Sequence, residues 1–216
     1  MDTQRTDDAV TRDLRRYQLA MRLVAHRART RTIYTLTGYT RHRLGTLRRR
    51  WRVPSQARRR GPSPKSFAAF FRSPQAQNEG AVIASLCYLF GALPPRQSAG
   101  EKYVFPPRDE EQRLRTGERL CEVFEAFSSA FPGSDFELEQ VVLLAAGLSQ
   151  ADTISLAQCK KCGCVILIDR QSVQKLICSQ CHRWSANGVG VVPEHSPAAE
   201  RVLISIDSTA QQSELF

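Results

Sequence analysis

The sequence predicts a mainly α-helical protein: an N-terminal helix-turn-helix, a helical core, and a small C-terminal module built on four cysteines. Three observations carry this. Apolar residues recur at helical spacing from Leu14 to Leu148. Basic charge is concentrated at one end: residues 1–72 hold 19 Lys and Arg against 4 Asp and Glu, while residues 73–216 hold 12 against 17. Finally, Cys159-Lys160-Lys161-Cys162 and Cys178-Ser179-Gln180-Cys181 repeat C-x2-C across fifteen intervening residues, a common four-cysteine zinc spacing. The expected divisions are a basic region and arm over 1–65, a helical core over 66–150, a zinc module over 151–192 and a flexible tail over 193–216.

The totals exclude several classes. The chain has 216 residues, 42% of them hydrophobic, and a net charge of +10. No apolar run approaches the ~18 residues that a membrane span needs, so no membrane association is expected. The N-terminus is polar and does not resemble a signal peptide, which points to a reducing cytoplasm and to metal rather than disulfides for the seven cysteines.

Taken in order, residues 1–12 are polar and expected to fray. From Asp13 to about Arg29 the positions of Leu14, Tyr17, Leu19, Met21, Leu23, Val24 and Ala28 fit an amphipathic helix, capped by Asp13 or Thr11, whose polar face carries Arg15, Arg16, Arg22, Arg27 and Arg29. Residues 31–51 read as helix, turn at Gly38, helix. Gly38 accepts the positive φ of a tight turn, Thr40 can cap the second helix, and Ile33, Leu36, Leu44, Leu47 and Trp51 would pack the two together. The second helix then presents Arg41, His42, Arg43, Thr46, Arg49 and Arg50 with no acidic residue among them. In a recognition helix the N-terminal residues reach base edges, so Arg41, His42 and Arg43 are placed there. Arg48, Arg49, Arg50 and Arg52 are placed on phosphates. The bland alternative is a solvated helix face, but six arginines without an acid offer each other no stabilising pairs. Beyond Pro54, the proline-bearing stretch with Arg58, Arg59, Arg60 and Lys65 reads as an extended basic arm for a phosphate backbone or minor groove, or else as a plain linker.

Residues 81–90 form a nearly all-apolar helix, too short to cross a bilayer. Asp109 to Phe131 is a long amphipathic helix stopped by Pro132-Gly133. A further helix capped by Ser134 or Asp135 runs to Leu148. Those helices, with the 81–90 stretch, are the expected partner-binding faces. Val165–Ile168 reads as a strand between the cysteine pairs. Zinc wants four soft ligands at tetrahedral corners, and keeping the two-residue spacing on both sides selects Cys159, Cys162, Cys178 and Cys181. Cys164 and His182 lie beside them as spare donors. Four cysteines close the coordination sphere, so one structural zinc ion per chain is expected, not a catalytic one. Lys160, Lys161, Lys175 and Arg183 would offset the charge of the thiolates. There is no P-loop and no H-x-E beside P-C-x-x-C, and no enzyme is expected. A zinc-ribbon RNA-binding or nucleic-acid-processing factor is the second reading.

Gln18-Leu19-Ala20-Met21 with Leu23, the Leu44 helix with its basic end, the Gly61-Pro62-Ser63-Pro64-Lys65 arm and the four-cysteine pattern occur together here. In this combination the chain resembles the FlhC family of bacterial flagellar transcription activators, over residues 14–184. The C-terminal tail and the Pro94–Pro107 segment depart from the family pattern. The resemblance implies an activator that acts with FlhD, in a hetero-oligomer of four FlhD and two FlhC chains. It also implies binding to flagellar (class II) promoter DNA and recruitment of RNA polymerase. The family's zinc ligands carry over to Cys159, Cys162, Cys178 and Cys181, and no catalytic residue carries over.

Overall fold

The computed structural model describes residues 2–54, 61–94, 103–171 and 176–186, with side chains from residue 9 to residue 182. Eight helices and two strands follow along these residues: α1 (Asp2–Ala25), α2 (Thr30–Thr37), α3 (Arg41–Arg50), α4 (Ala68–Phe71), α5 (Pro74–Leu89), α6 (Glu110–Ala130), α7 (Leu138–Gln150), β1 (Ile154–Gln158), β2 (Val165–Asp169) and α8 (Ser179–Ala186). The protein is therefore mainly helical with a single two-stranded sheet among the described residues. None of the described helices is long and apolar enough to cross a membrane. The basic arm at Arg58, Arg59 and Arg60, the tail over 193–216, Lys175 and the Arg183 side chain lie outside the described residues.

Local chemistry explains most helix ends. Thr40 accepts the Arg43 N–H at 3.2 Å, filling the N-cap role expected of it, and Asp109, read as the first residue of its helix, accepts the Gln112 N–H at 2.9 Å as the N-cap of α6. Gly38 closes α2 at φ +73°. Other ends differ from expectation. α1 begins at Asp2, because nothing between there and Asp13 breaks a helix. It stops at Ala25 rather than Arg29: Arg27 turns into the left-handed region at φ +56° and the Ala28 N–H reaches back to the Leu23 carbonyl. α5 begins at Pro74, well before residue 81. Ser73 accepts the Ala76 N–H and Pro74 takes the first helical position, where no N–H is needed. α7 is capped by Glu137 with Gln140 in a reciprocal capping box, not by Ser134 or Asp135.

Contacts cluster the chain into two compact units. The first comprises residues 1–157 and 165–175. Its core is formed by Leu19, Leu23, Ile33, Leu36, Leu44, Ile83, Leu114 and Leu120, all essentially buried, together with a phenylalanine cluster. Phe70 stacks on Phe136 at 4.8 Å between ring centres, and Phe127 on Phe131 at 5.1 Å. α6 packs on α1, α2, α5 and α7. Its approach to α1 and α2 requires Gly117, where a Cβ would sit 2.8 Å from Leu19 Cδ2. β1 and β2 pair as consecutive strands, with the Arg170 N–H donating to the Thr153 carbonyl at the open end. The second unit, residues 158–164 and 176 onward, carries the cysteine pairs.

Candidate metal centre and basic face

The cysteine unit is organised by its backbone. The Gly163 N–H donates to the Cys159 carbonyl at 2.8 Å and Gly163 takes φ +72°, which turns the first C-x2-C pair back on itself. The Lys160 N–H donates to the Leu176 carbonyl at 2.8 Å and ties the first pair to the second. Cys178 precedes α8 and Cys181 lies in its first turn. The sulfurs of Cys159, Cys162, Cys178 and Cys181 lie within 4.8 Å of one another. Cys162 Sγ and Cys178 Sγ are 3.6 Å apart, far beyond a disulfide bond and close to the ~3.8 Å edge of a tetrahedron with 2.3 Å metal–sulfur bonds. Cys164 and His182 are exposed and not part of this group of four.

Hydrogen bonds and charge say what such a cluster asks for. The Cys178 N–H donates to Cys159 Sγ at 3.2 Å and the Cys181 N–H to Cys178 Sγ at 3.4 Å. Burial pushes the Cys159 thiol up, but N–H donation from Cys178, Cys162 and Lys161 outweighs it and brings the thiol down to about 6. Burial and the neighbouring sulfurs push Cys181 up to about 12. The Cys159 thiolate therefore forms readily, whereas Cys181 ionises only against a cation placed among the sulfurs. The four donors fit a tetrahedral, thiophilic metal ion and could hold one. Lys160 and Lys161 are exposed beside them.

The N-terminal helices sort their arginines into two groups. Along α1, Arg15 grips Glu118 at 2.7 Å and Glu111, Arg16 pairs with Glu110 and Asp13, and Arg22 holds Glu125 through two nitrogens, one at 2.7 Å. His26 shares Glu125 at 2.6 Å. Hydrogen bonding to these acids raises Arg15 and Arg22 further above their ordinary range, and the same bonds lower Glu111 and bring Glu125 to about 2. The face read from sequence as open basic surface is thus largely neutralised by α6.

α3 is different. Arg41, His42, Arg43, Arg49, Arg50 and Arg52 are exposed, and the five arginines among them meet no acidic partner among the described residues. The Arg41 guanidinium lies 5.6 Å over the Tyr34 ring and Arg43 lies 5.2 Å over Tyr39, so two aromatic platforms hold the basic end of α3. Sequence reading placed Arg48 on a phosphate, whereas the structure buries it. It turns inward beside Leu44 and Leu47 and donates to Thr30 Oγ1 at 2.7 Å, tying α3 to the start of α2. Lys65 is exposed.

Glu139 is a residue that pattern reading missed. It lies on α7, is buried, and accepts the Arg29 N–H at 2.7 Å and the Thr32 hydroxyl at 2.9 Å. It caps α2, whose own N-cap residue, Arg29, forms no side-chain cap. An uncapped helix start was the available signal. Tyr34 and Tyr39 were missed as platforms because their partners lie one turn or one loop away. The chain matches no protein-family model, no curated protein and no solved structure.

Proposed function

We propose that this protein is a DNA-binding transcription activator of the FlhC type, cytoplasmic and without enzymatic activity. In this reading α2, the Gly38 turn and α3 act as a helix-turn-helix. Arg41, His42 and Arg43 reach base edges from the start of α3, steadied by Tyr34 and Tyr39. Arg49, Arg50, Arg52 and Lys65 meet phosphates, joined by the arm residues Arg58, Arg59 and Arg60. Arg48 is assigned to holding α3 on α2 and not to DNA. Cys159, Cys162, Cys178 and Cys181 would hold one structural zinc ion, whose four bonds would supply folding free energy to that unit. An FlhD-type partner and RNA polymerase complete the proposed assembly on flagellar promoters.

The observation that carries the reading is the split among the arginines. The chain pairs Arg15, Arg16 and Arg22 of α1 with its own carboxylates and leaves Arg41, Arg43, Arg49 and Arg50 of α3, with Arg52 just after it, without an acid among the described residues, next to exposed His42. Such a cluster fits a polyanion. The test is fluorescence anisotropy with a flagellar promoter duplex and a scrambled duplex, with and without an FlhD partner. Neutralising about five phosphates gives a log–log salt slope of about −4.5. Promoter preference that requires the partner is the expected result. A flat salt response overturns the electrostatic part, and equal salt-sensitive binding to both duplexes, or to single-stranded RNA, leaves a generic nucleic-acid-binding protein.

A further inference from the structure

α1 carries a second apolar stripe that the fold does not cover. Leu19, Ala20 and Leu23 face the core, but Val10, Leu14 and Met21 lie on another side of the helix and are 63%, 53% and 45% exposed. With half-buried Tyr17 they are spaced four, three and four residues apart, the a/d rhythm of a helix that pairs with another helix. The Tyr17 hydroxyl accepts the Trp51 indole N–H at 2.6 Å, which fixes its ring within the stripe.

The same helix outruns its support. Arg15 and Arg16 pair with Glu111 and Glu110 at the start of α6, and Arg22 pairs with Glu125 further along, so the two helices run parallel. The segment before Arg15 therefore passes the beginning of α6, and every residue from Ala9 to Leu14 is exposed. Asp2–Leu14 spans about 20 Å at 1.5 Å per residue. A helical piece of that length is marginal in water without packing.

Charge says what can cover it. The solvent-side flank of the stripe is Thr11, Gln18 and Ala25, all exposed and uncharged. Arg15 and Arg22, the nearest cations beyond that flank, are already paired with α6 carboxylates. In a chain of net charge +10, two copies meeting through their unpaired arginines repel, whereas two copies meeting here do not.

We propose that this face is a self-association surface. The α1 helix of a second copy lies antiparallel on it about a two-fold axis midway between Arg15 and Arg16. Val10 then faces Met21 of the second copy and Leu14 faces its Tyr17, an isologous arrangement in which Thr11 meets Gln18. This inference does not depend on DNA binding.

The full chain in sedimentation equilibrium is expected to show twice the 24.3 kDa monomer mass at high concentration. Leu14→Glu is expected to raise the dimer dissociation constant about tenfold or more, with thermal unfolding unchanged at concentrations where both proteins are monomeric, because Leu14 is exposed in the monomer. Thr11→Lys with Gln18→Lys weakens the dimer by repulsion, while Thr11→Glu with Gln18→Lys retains it in the antiparallel register. A monomer at every concentration, a dimer indifferent to Leu14→Glu, or a stripe that only a different protein covers overturns the proposal.

Discussion

Arg15, Arg16 and Arg22 of α1 and Arg41, Arg43, Arg49 and Arg50 of α3, with Arg52 just after it, are the same chemical group, yet they have opposite fates. Arg15, Arg16 and Arg22 find Glu110, Glu111, Glu118 and Glu125 on α6. Arg41 and Arg43 lie over aromatic rings, Arg49 donates to Thr46 Oγ1, and Arg50 and Arg52 are exposed without an acidic partner among the described residues. Charge that the chain meets itself belongs to the fold; charge that it leaves unmet is available to a ligand. The four cysteines extend the contrast to sulfur: four donors lie within 4.8 Å of one another, an arrangement that could hold a metal ion.

The largest effect is expected at that cluster. Cys178→Ser, or a strong chelator, should unfold the cysteine unit and abolish metal content, since structural zinc contributes on the order of 10 kcal/mol in small metal-dependent units. Metal analysis with circular dichroism measures this. A fully folded variant with no metal ever bound would remove the metal centre from the comparison.

Next in size is the test of the α3 side. Arg41→Ala combined with Arg43→Ala should lower duplex affinity about 100-fold at moderate salt and leave the thermal midpoint unchanged, at roughly 1–3 kcal/mol per base-reading arginine. Arg15→Ala combined with Arg22→Ala should do the reverse: lower the midpoint and spare binding. If the α1 pair abolishes binding in a folded protein, the division between the two helices is wrong.

A smaller effect sharpens the α1 side by pH. The Glu125 carboxyl is held down from 4.5 to about 2 by Arg22 and His26. A depressed carboxylate contributes stability that is present above pH 4.5 and lost as pH falls through 2. Because its side chain is 41% exposed, screening leaves about 1 kcal/mol. Acid unfolding of the wild type should therefore deepen between pH 4.5 and 2, and Arg22→Ala should shift that loss toward higher pH. Overlapping acid limbs would show that this pair contributes nothing measurable.

The smallest effect is a gain. Arg52 sits at φ +53° after α3, where its Val53 neighbour donates back to the Arg48 carbonyl. Arg52→Gly should stabilise the fold by up to about 1 kcal/mol while weakening duplex binding modestly. A loss of stability there would mean that Arg52 has an interaction that belongs with the α1 group.

Several features were legible because they are local. The cysteine spacing brings four sulfurs together through two turns, the Gly38 turn needs one permissive residue, and Thr40 caps its helix through an N–H three residues on. The start of α5 was also written locally, in Ser73-Pro74, but the apolar run beginning at Ala81 drew attention past it. The fate of individual charges was not legible. Arg15 and Glu118 are 103 residues apart, and Glu139 caps a helix 110 residues upstream. Arg48 follows Leu47 and precedes an exposed Arg49 on the same helix, and only the rotation of α3 against α2 puts it inside.

By itself, then, the sequence determined the helical character of the chain, the turn between α2 and α3, and the four sulfur donors. Caps, turns and C-x2-C pairs involve groups within a few residues, so their energetics travel with the local sequence. Tertiary structure alone decided which arginines are paired, which one is buried, where α2 finds its cap and which apolar stripe of α1 stays uncovered. Those outcomes depend on which helix faces lie opposite one another, and that follows from close packing at positions such as Gly117, far apart in the chain.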